Sequence, residues 1–169
     1  RTVLVVRSDQ VGLEPSPVDF SLYWDYSGPT GRLAYASEFW HAAEGSNRSV
    51  SDLWVYDYTS GKANQWVPDN VGRASWSPMR EGQVEQQRLA AAIYDPELDR
   101  YDLALLDGPF QSEPLATCAS PTFTWSPDGT QIAYTAYAAD GAGSVPGECQ
   151  GVFLVSVTDG LVTKISDQL

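Results

Sequence analysis

The sequence predicts an all-β protein built from three similar units, each with four short strands. Apolar and polar residues alternate over short segments, and clusters of Gly, Pro, Asp and Ser separate these segments. A tryptophan recurs at intervals of about 50 residues. No segment shows sustained helical periodicity. Hydrophobic residues make up 43% of the 169 residues, which is the composition of a globular protein.

The first unit follows a short apolar strand and a linker. Residues 2–6 (TVLVV) are β-branched and continuously apolar, which indicates a strand buried on both faces. Gly12, Pro15 and Pro17 then mark a loop. The four strands of the first unit are predicted at residues 19–24, 32–37, 52–58 and 62–67, with turn residues at 27–31 and 59–61.

The second and third units repeat this order. The second has predicted strands at residues 73–76, 88–94, 101–107 and 113–117. Residues 81–92 could form a short helix by propensity, but their alignment with the other units favours a loop followed by a strand. The third unit has predicted strands at residues 122–125, 131–137, 151–157 and 161–166.

Four columns of apolar residues align the three units. They comprise Trp24, Trp76 and Trp125; Leu33, Leu89 and Ile132; Leu53, Leu103 and Val152; and Val67, Leu115 and Ile165. A period near 50 residues with four short strands per unit is typical of β-propeller blades. On this interpretation residues 1–18 are the second half of an incomplete blade, and the blades span residues 19–71, 72–118 and 119–169.

The turn between the first two strands of the third unit carries a family resemblance. Its residues are Trp125-Ser126-Pro127-Asp128-Gly129, followed by Ile132-Ala133-Tyr134, and Trp76-Ser77-Pro78 matches part of the pattern. These motifs resemble the TolB-like propeller repeat, a relative of the WD repeat. Pro127 presets φ, Asp128 can bond its own backbone and Gly129 accepts positive φ, so we expect Ser126, Pro127, Asp128 and Gly129 to form a structural turn.

The number of units poses a problem of closure, because propellers close with about four to eight blades. Three blades and a half would leave bare faces at both ends of the array. Two chains could join into a six-bladed ring, the chain could belong to a longer polypeptide, or another protein could complete the ring. The sequence leaves these alternatives open.

The best candidate binding surface lies on the loops that follow each second strand. Loops 39–51, 95–100 and 138–150 would share one face of a propeller. The candidate ligand-binding residues on them are Trp40, His41, Glu44, Asp95, Glu97, Asp99, Asp140 and Glu148. His41 is the sole histidine and no G-x-S-x-G motif occurs, so no catalytic residue is predicted. Residues 95, 97 and 99 alternate like a calcium loop but lack its later Gly and Glu, so no metal site or cofactor is predicted.

The two cysteines, Cys118 and Cys149, allow two interpretations. They could be free buried thiols or one disulfide. The propeller interpretation places both on the face of the candidate loops, where a disulfide is sterically plausible and would hold the Gly-rich loop. A disulfide would also fit an extracytoplasmic location.

Charge and hydropathy narrow the classes of function. A net charge of −12 argues against a nucleic-acid partner, and no apolar run reaches the roughly 18 residues of a membrane helix. The favoured function is a non-enzymatic bacterial scaffold that binds a protein or peptide through its loop face, with self-association as a way to close the ring. The alternatives are a carbohydrate- or small-ligand-binding module and, from the family resemblance, an accessory propeller of a larger hydrolase or peptidase.

Overall fold

The computed structural model describes residues 32–42, 49–78, 87–136 and 149–167, with the backbone alone at 36–42, 49 and 69. These residues form two antiparallel sheets and contain no α-helix, which confirms the predicted all-β class. No helix in this part of the chain is long and apolar enough to span a membrane. The strands are β1 (Arg32–Ala42), β2 (Ser49–Asp57), β3 (Lys62–Trp76), β4 (Leu89–Asp95), β5 (Arg100–Gly108), β6 (Gln111–Ala119), β7 (Phe123–Trp125), β8 (Gln131–Ala136), β9 (Gly151–Ser156) and β10 (Val162–Ser166).

Each sheet is a meander in which every strand pairs with its neighbours in sequence. The first sheet has six strands in the order β1 to β6, and the second has four in the order β7 to β10. We call the end of the sheets that carries the β2–β3, β5–β6, β7–β8 and β9–β10 connections the turn end. We call the opposite end the loop end. It carries the β4–β5 turn, the ends of β1 and β8, and the starts of β2 and β9.

Strand β3 is longer than the sequence indicates. The sequence predicts separate strands at residues 62–67 and 73–76, yet residues 68–72 between them belong to one continuous strand. The first part of β3 pairs with β2, and its second part pairs with β4. Pro68 lacks an N–H to donate to a ladder, and it follows Val67, the last β3 partner before the pairing with β2 shifts register. Strand β3 thus pairs first with β2 and then, beyond Pro68, with β4.

The three central hairpins share one register. The residues that the sequence aligns in the second predicted strands face equivalent partners across the β1–β2, β4–β5 and β8–β9 ladders: Leu33 opposite Tyr56, Leu89 opposite Leu106, and Ile132 opposite Val155. Leu33, Leu89 and Ile132 are all almost fully buried. The fourth column differs, since Val67 and Leu115 are half-buried whereas Ile165 is 56% exposed.

Strands β4 and β5 contribute apolar residues to two separate cores. On one side, Leu89 and Ala91 pack into a cluster with residues of β1, β2 and β3, which include Leu53 and the edge-to-face pair Trp66 and Trp76. On the other side, a larger cluster joins β4 and β5 to the second sheet through Ala90, Ala92, Leu103, Leu105, Phe123, Trp125, Ile132, Tyr134, Phe153 and Val155. Burial of both faces explains why β4 reads as a continuous apolar run rather than an alternating one.

Polar contacts hold the two sheets together at the turn end. The Trp125 indole Nε1–H donates to the Ser75 carbonyl (3.1 Å), and the Arg88 guanidinium donates to the Val157 carbonyl (3.3 Å). The β7–β8 turn lies against the first sheet, because a Cβ on Gly129 would stand 3.6 Å from the Ser77 Cβ. These contacts align the turn ends of the two sheets.

The β7–β8 turn is held by hydrogen bonds among its own residues. Gly129 adopts φ 62° and donates its N–H to the Ser126 carbonyl (2.8 Å). The Asp128 carboxylate accepts hydrogen bonds from the Ser126 hydroxyl (2.6 Å) and from the Thr130 N–H (3.1 Å) and hydroxyl (2.7 Å). Pro127 lies exposed between them. The polar side chains of this turn therefore bond within it.

Candidate functional site

The candidate binding residues that the structure describes lie at the loop end. Asp95, Glu97 and Asp99 lie on the β4–β5 turn, as expected. Trp40 and His41 do not lie in a loop, because β1 continues to Ala42 and His41 pairs with Val50 of β2. Pairing with β2 carries β1 beyond residue 37, where the predicted strand ends. The connection between β1 and β2 is therefore shorter than the expected loop 39–51. Glu44, Asp140 and Glu148 lie outside the described residues.

Two of the three carboxylates on the β4–β5 turn hold the turn itself. The Asp95 carboxylate accepts the N–H groups of Glu97 (2.9 Å) and Leu98 (3.2 Å), which is the bonding of an Asx turn. Asp99 has a left-handed backbone, with φ 45°, and accepts a hydrogen bond from the buried Tyr94 hydroxyl (2.9 Å). Glu97 is exposed. Among the described residues, no group of three or more His, Cys, Asp or Glu side chains could hold a metal ion.

An ion pair supports the strand beside this turn. The Arg100 Nε lies 3.0 Å from the Asp102 Oδ1, and its Nη2 donates to Oδ2 (3.3 Å). The Asp102 Oδ1 also accepts the backbone N–H of Cys118 (2.9 Å). The β5–β6 ladder shifts register here, since Tyr101 pairs with Ala119 whereas Leu103 pairs with Ala116. Asp102 therefore bonds an N–H group that the bulge in β6 removes from the ladder.

Cys118 lies on this bulge and forms a disulfide with Cys149. The Cα atoms are 5.6 Å apart, within the usual range for a disulfide. Cys118 has a left-handed backbone, with φ 59°, and its sulfur also accepts a contact from Arg100 (3.7 Å). The disulfide joins the end of β6 in the first sheet to the residues that precede β9 in the second. It thereby fixes one end of the β8–β9 connection at the loop end.

The aromatic side chains described at the loop end are packing residues. The Tyr94 and Tyr101 rings lie 5.4 Å apart and are both buried. Gly72 of β3 lets Tyr101 pack against the backbone, because a Cβ at that position would come within 2.5 Å of the ring. A shallow crevice of about 10 Å³ lies between β1, β2 and β3, beside Tyr35 and Val71. It is large enough for about one water molecule and too small for an organic ligand.

Sequence reasoning missed three residues of this end. Leu98 is 56% exposed at the tip of the β4–β5 turn and is not among the candidate residues of loop 95–100. Arg100 and Asp102 form the ion pair that supports Cys118. Their i, i+2 spacing in a strand places them on one face, so this spacing was a usable signal.

Comparisons with known proteins add no assignment. No protein-family model matches the chain, and a search of curated proteins found no significant match.

Proposed function

We propose that this chain is a non-enzymatic β-propeller segment that binds a protein or peptide partner through its loop end. The observation that carries the binding role is the Cys118–Cys149 disulfide, which fixes Cys149, two residues before β9, to the end of β6 at the loop end. Binding loops need a rigid support, because a loop that becomes ordered only on binding loses conformational entropy, and this loss lowers the affinity. Exposed Leu98 and Glu97 supply an apolar and an anionic contact at this end.

The propeller architecture is supported by the packing of the hairpins. Three hairpins share one register, and β4 and β5 contribute to a core on either side, as a blade between two blades does. The TolB-like motif around Trp125 is consistent with this interpretation. In a propeller, each sheet stacks face to face on the next around a central axis.

The location proposed for the protein is extracytoplasmic. Disulfides persist in oxidising compartments and are rare in the cytosol. The Cys118–Cys149 bond is compatible with such a location. We infer a protein or peptide partner rather than a carbohydrate, because Tyr94 and Tyr101 are buried and offer no ring to a sugar at the described part of the loop end.

A binding experiment tests the proposed function. The oxidised protein is screened against a displayed library of random short peptides and, in parallel, against a glycan array. We expect selected peptides whose affinity falls in Leu98→Ala and after reduction of the disulfide. Leu161→Ala is the matched control, since Leu161 is similarly exposed (65%) at the turn end. Binding to glycans alone, or a library that yields no peptide whose affinity falls in Leu98→Ala, would overturn the proposal.

Solution mass tests the self-association that could close the ring. A two-chain, six-bladed ring predicts a particle of twice the chain mass of 18.4 kDa in light scattering. A stable monomer at low concentration contradicts an obligate pair.

A further inference from the structure

A tight turn at the turn end displays an exposed phenylalanine. Strand β5 ends at Gly108, which pairs with Gln111 at the start of β6, so Pro109 and Phe110 form the turn between them. Phe110 has φ 58°, and 71% of its surface is exposed to solvent. Proline followed by a residue with positive φ is the order that a type II turn favours, and that second position favours glycine.

Two other turns at the turn end use glycine where the backbone has positive φ. Gly61 ends the β2–β3 turn with φ 67°, and Gly160 has φ 68° in the β9–β10 turn. Glycine adopts this conformation without a steric penalty, whereas positive φ is unusual for a bulky side chain. Phe110 thus combines an unfavourable backbone conformation with an apolar ring that gains little burial within the chain.

A hydrogen bond to strand β3 holds the backbone of Phe110. The N–H groups of Gly61 and Gly160 donate to carbonyls within their own turns, those of Asp57 (2.8 Å) and Ser156 (3.0 Å). The Phe110 N–H instead donates to the carbonyl of Trp66 in β3 (2.9 Å). Trp66 is itself buried in the core against Trp76. The exposed ring therefore extends from a turn that is fixed to the core.

The residues around Phe110 indicate the chemistry of a partner. The segment 107–113 has the sequence DGPFQSE, in which Asp107 and Glu113 are exposed and no Lys or Arg occurs. Large aromatic side chains dominate binding energy when they enter a pocket on a partner, and complementary charge at the rim adds specificity. The net charge of the whole chain is −12, which also favours a basic partner.

We propose that Phe110 is the central contact of a second protein-binding surface, whose partner is a protein segment in which apolar residues adjoin Lys or Arg residues. This surface lies at the opposite end of β5 from the β4–β5 turn. It is therefore distinct from the loop-end surface, and either one can fail without the other.

The experiment uses the full chain in its oxidised form and a displayed library of random short peptides as the probe. Selection on wild type is followed by counter-selection on Phe110→Gly, and dissociation constants of synthesised peptides are measured by fluorescence anisotropy. Phe110→Gly removes the ring and introduces the residue that adopts a similar positive φ at Gly61 and Gly160. Phe110→Ala also removes the ring, but it keeps a Cβ and therefore the steric cost of positive φ at this position. Ile165→Ala is the matched control for loss of an exposed apolar side chain elsewhere, since Ile165 is 56% exposed on β10 of the second sheet.

We expect peptides in which apolar residues adjoin Lys or Arg, and a loss of affinity of about 30-fold or more in both Phe110 variants. Ile165→Ala retains the wild-type affinity for these peptides. Asp107→Asn and Glu113→Gln weaken binding, and added salt weakens it further because it screens exposed charges. A library that yields no peptide dependent on Phe110, or peptides that depend on Phe110 but carry no basic residue, would overturn the inference.

Discussion

Removal of the Cys118–Cys149 disulfide is expected to lower the free energy of unfolding by about 3.7 kcal/mol. The two cysteines are separated by 31 residues in sequence. A cross-link that closes a loop of this length removes about 12 cal/mol/K of chain entropy from the unfolded state, which gives that value at about 25 °C. For a chain of this size the loss corresponds to a fall in Tm of roughly 7–15 °C.

The measurement is urea unfolding followed by tryptophan fluorescence. Three proteins are compared: the oxidised wild type, the wild type reduced with a phosphine, and the double variant Cys118→Ser/Cys149→Ser. The reduced protein and the double variant are expected to agree, because the Cys118 N–H keeps its bond to Asp102 in both. Equal midpoints for oxidised and reduced protein would refute the reasoning, since the loop between the cysteines would then not limit the unfolded chain.

Three further perturbations test the core, the turn and the charges. Leu89→Ala, at a fully buried position of β4, is expected to cost about 2–5 kcal/mol in urea unfolding. Val162→Ala in exposed β10 is its control and should change stability by less than about 0.5 kcal/mol; similar midpoints for the two variants would contradict the assigned core. Phe110→Gly is expected to raise the free energy of unfolding by up to about 1.5 kcal/mol, because the left-handed conformation costs an L residue about 1–2 kcal/mol and the freedom of unfolded glycine offsets about 0.5–1 kcal/mol. Phe110→Ala should show no such gain, and a less stable glycine variant would count against strain at this turn. The pKa of Asp57 is lowered, first by the N–H of Ser60 and also by the N–H of Thr59 and by Arg32, so its carboxylate stabilises the fold above the unfolded pKa of about 3.9 and this contribution is lost as the pH falls through the folded pKa. The difference in urea midpoint between wild type and Asp57→Asn should therefore shrink on acidification, and a difference that stays constant from neutral to acidic pH would be the contrary result.

The sequence by itself determined the strands and their alignment. Alternating hydrophobicity and turn residues locate the eleven strands predicted within the described residues, apart from their ends, and two of these strands join into β3. The aligned columns Leu33, Leu89 and Ile132 are buried in equivalent register because a side-chain period of two leaves little freedom where both faces pack. The Ser126–Gly129 turn is likewise local, since each of its residues acts through its own backbone or its neighbours.

The tertiary structure decided which residues meet and what is left exposed. The disulfide, the Arg100–Asp102 support of Cys118 and the continuous course of β3 depend on pairing between segments distant in sequence. Local periodicity carries no information on such pairing, and it could not show that β1 extends through Trp40 and His41. Phe110 is the sharpest case, because its sequence context reads as an ordinary turn. Its left-handed backbone and exposed ring follow only from the position that the β5–β6 ladder and the Trp66 carbonyl impose.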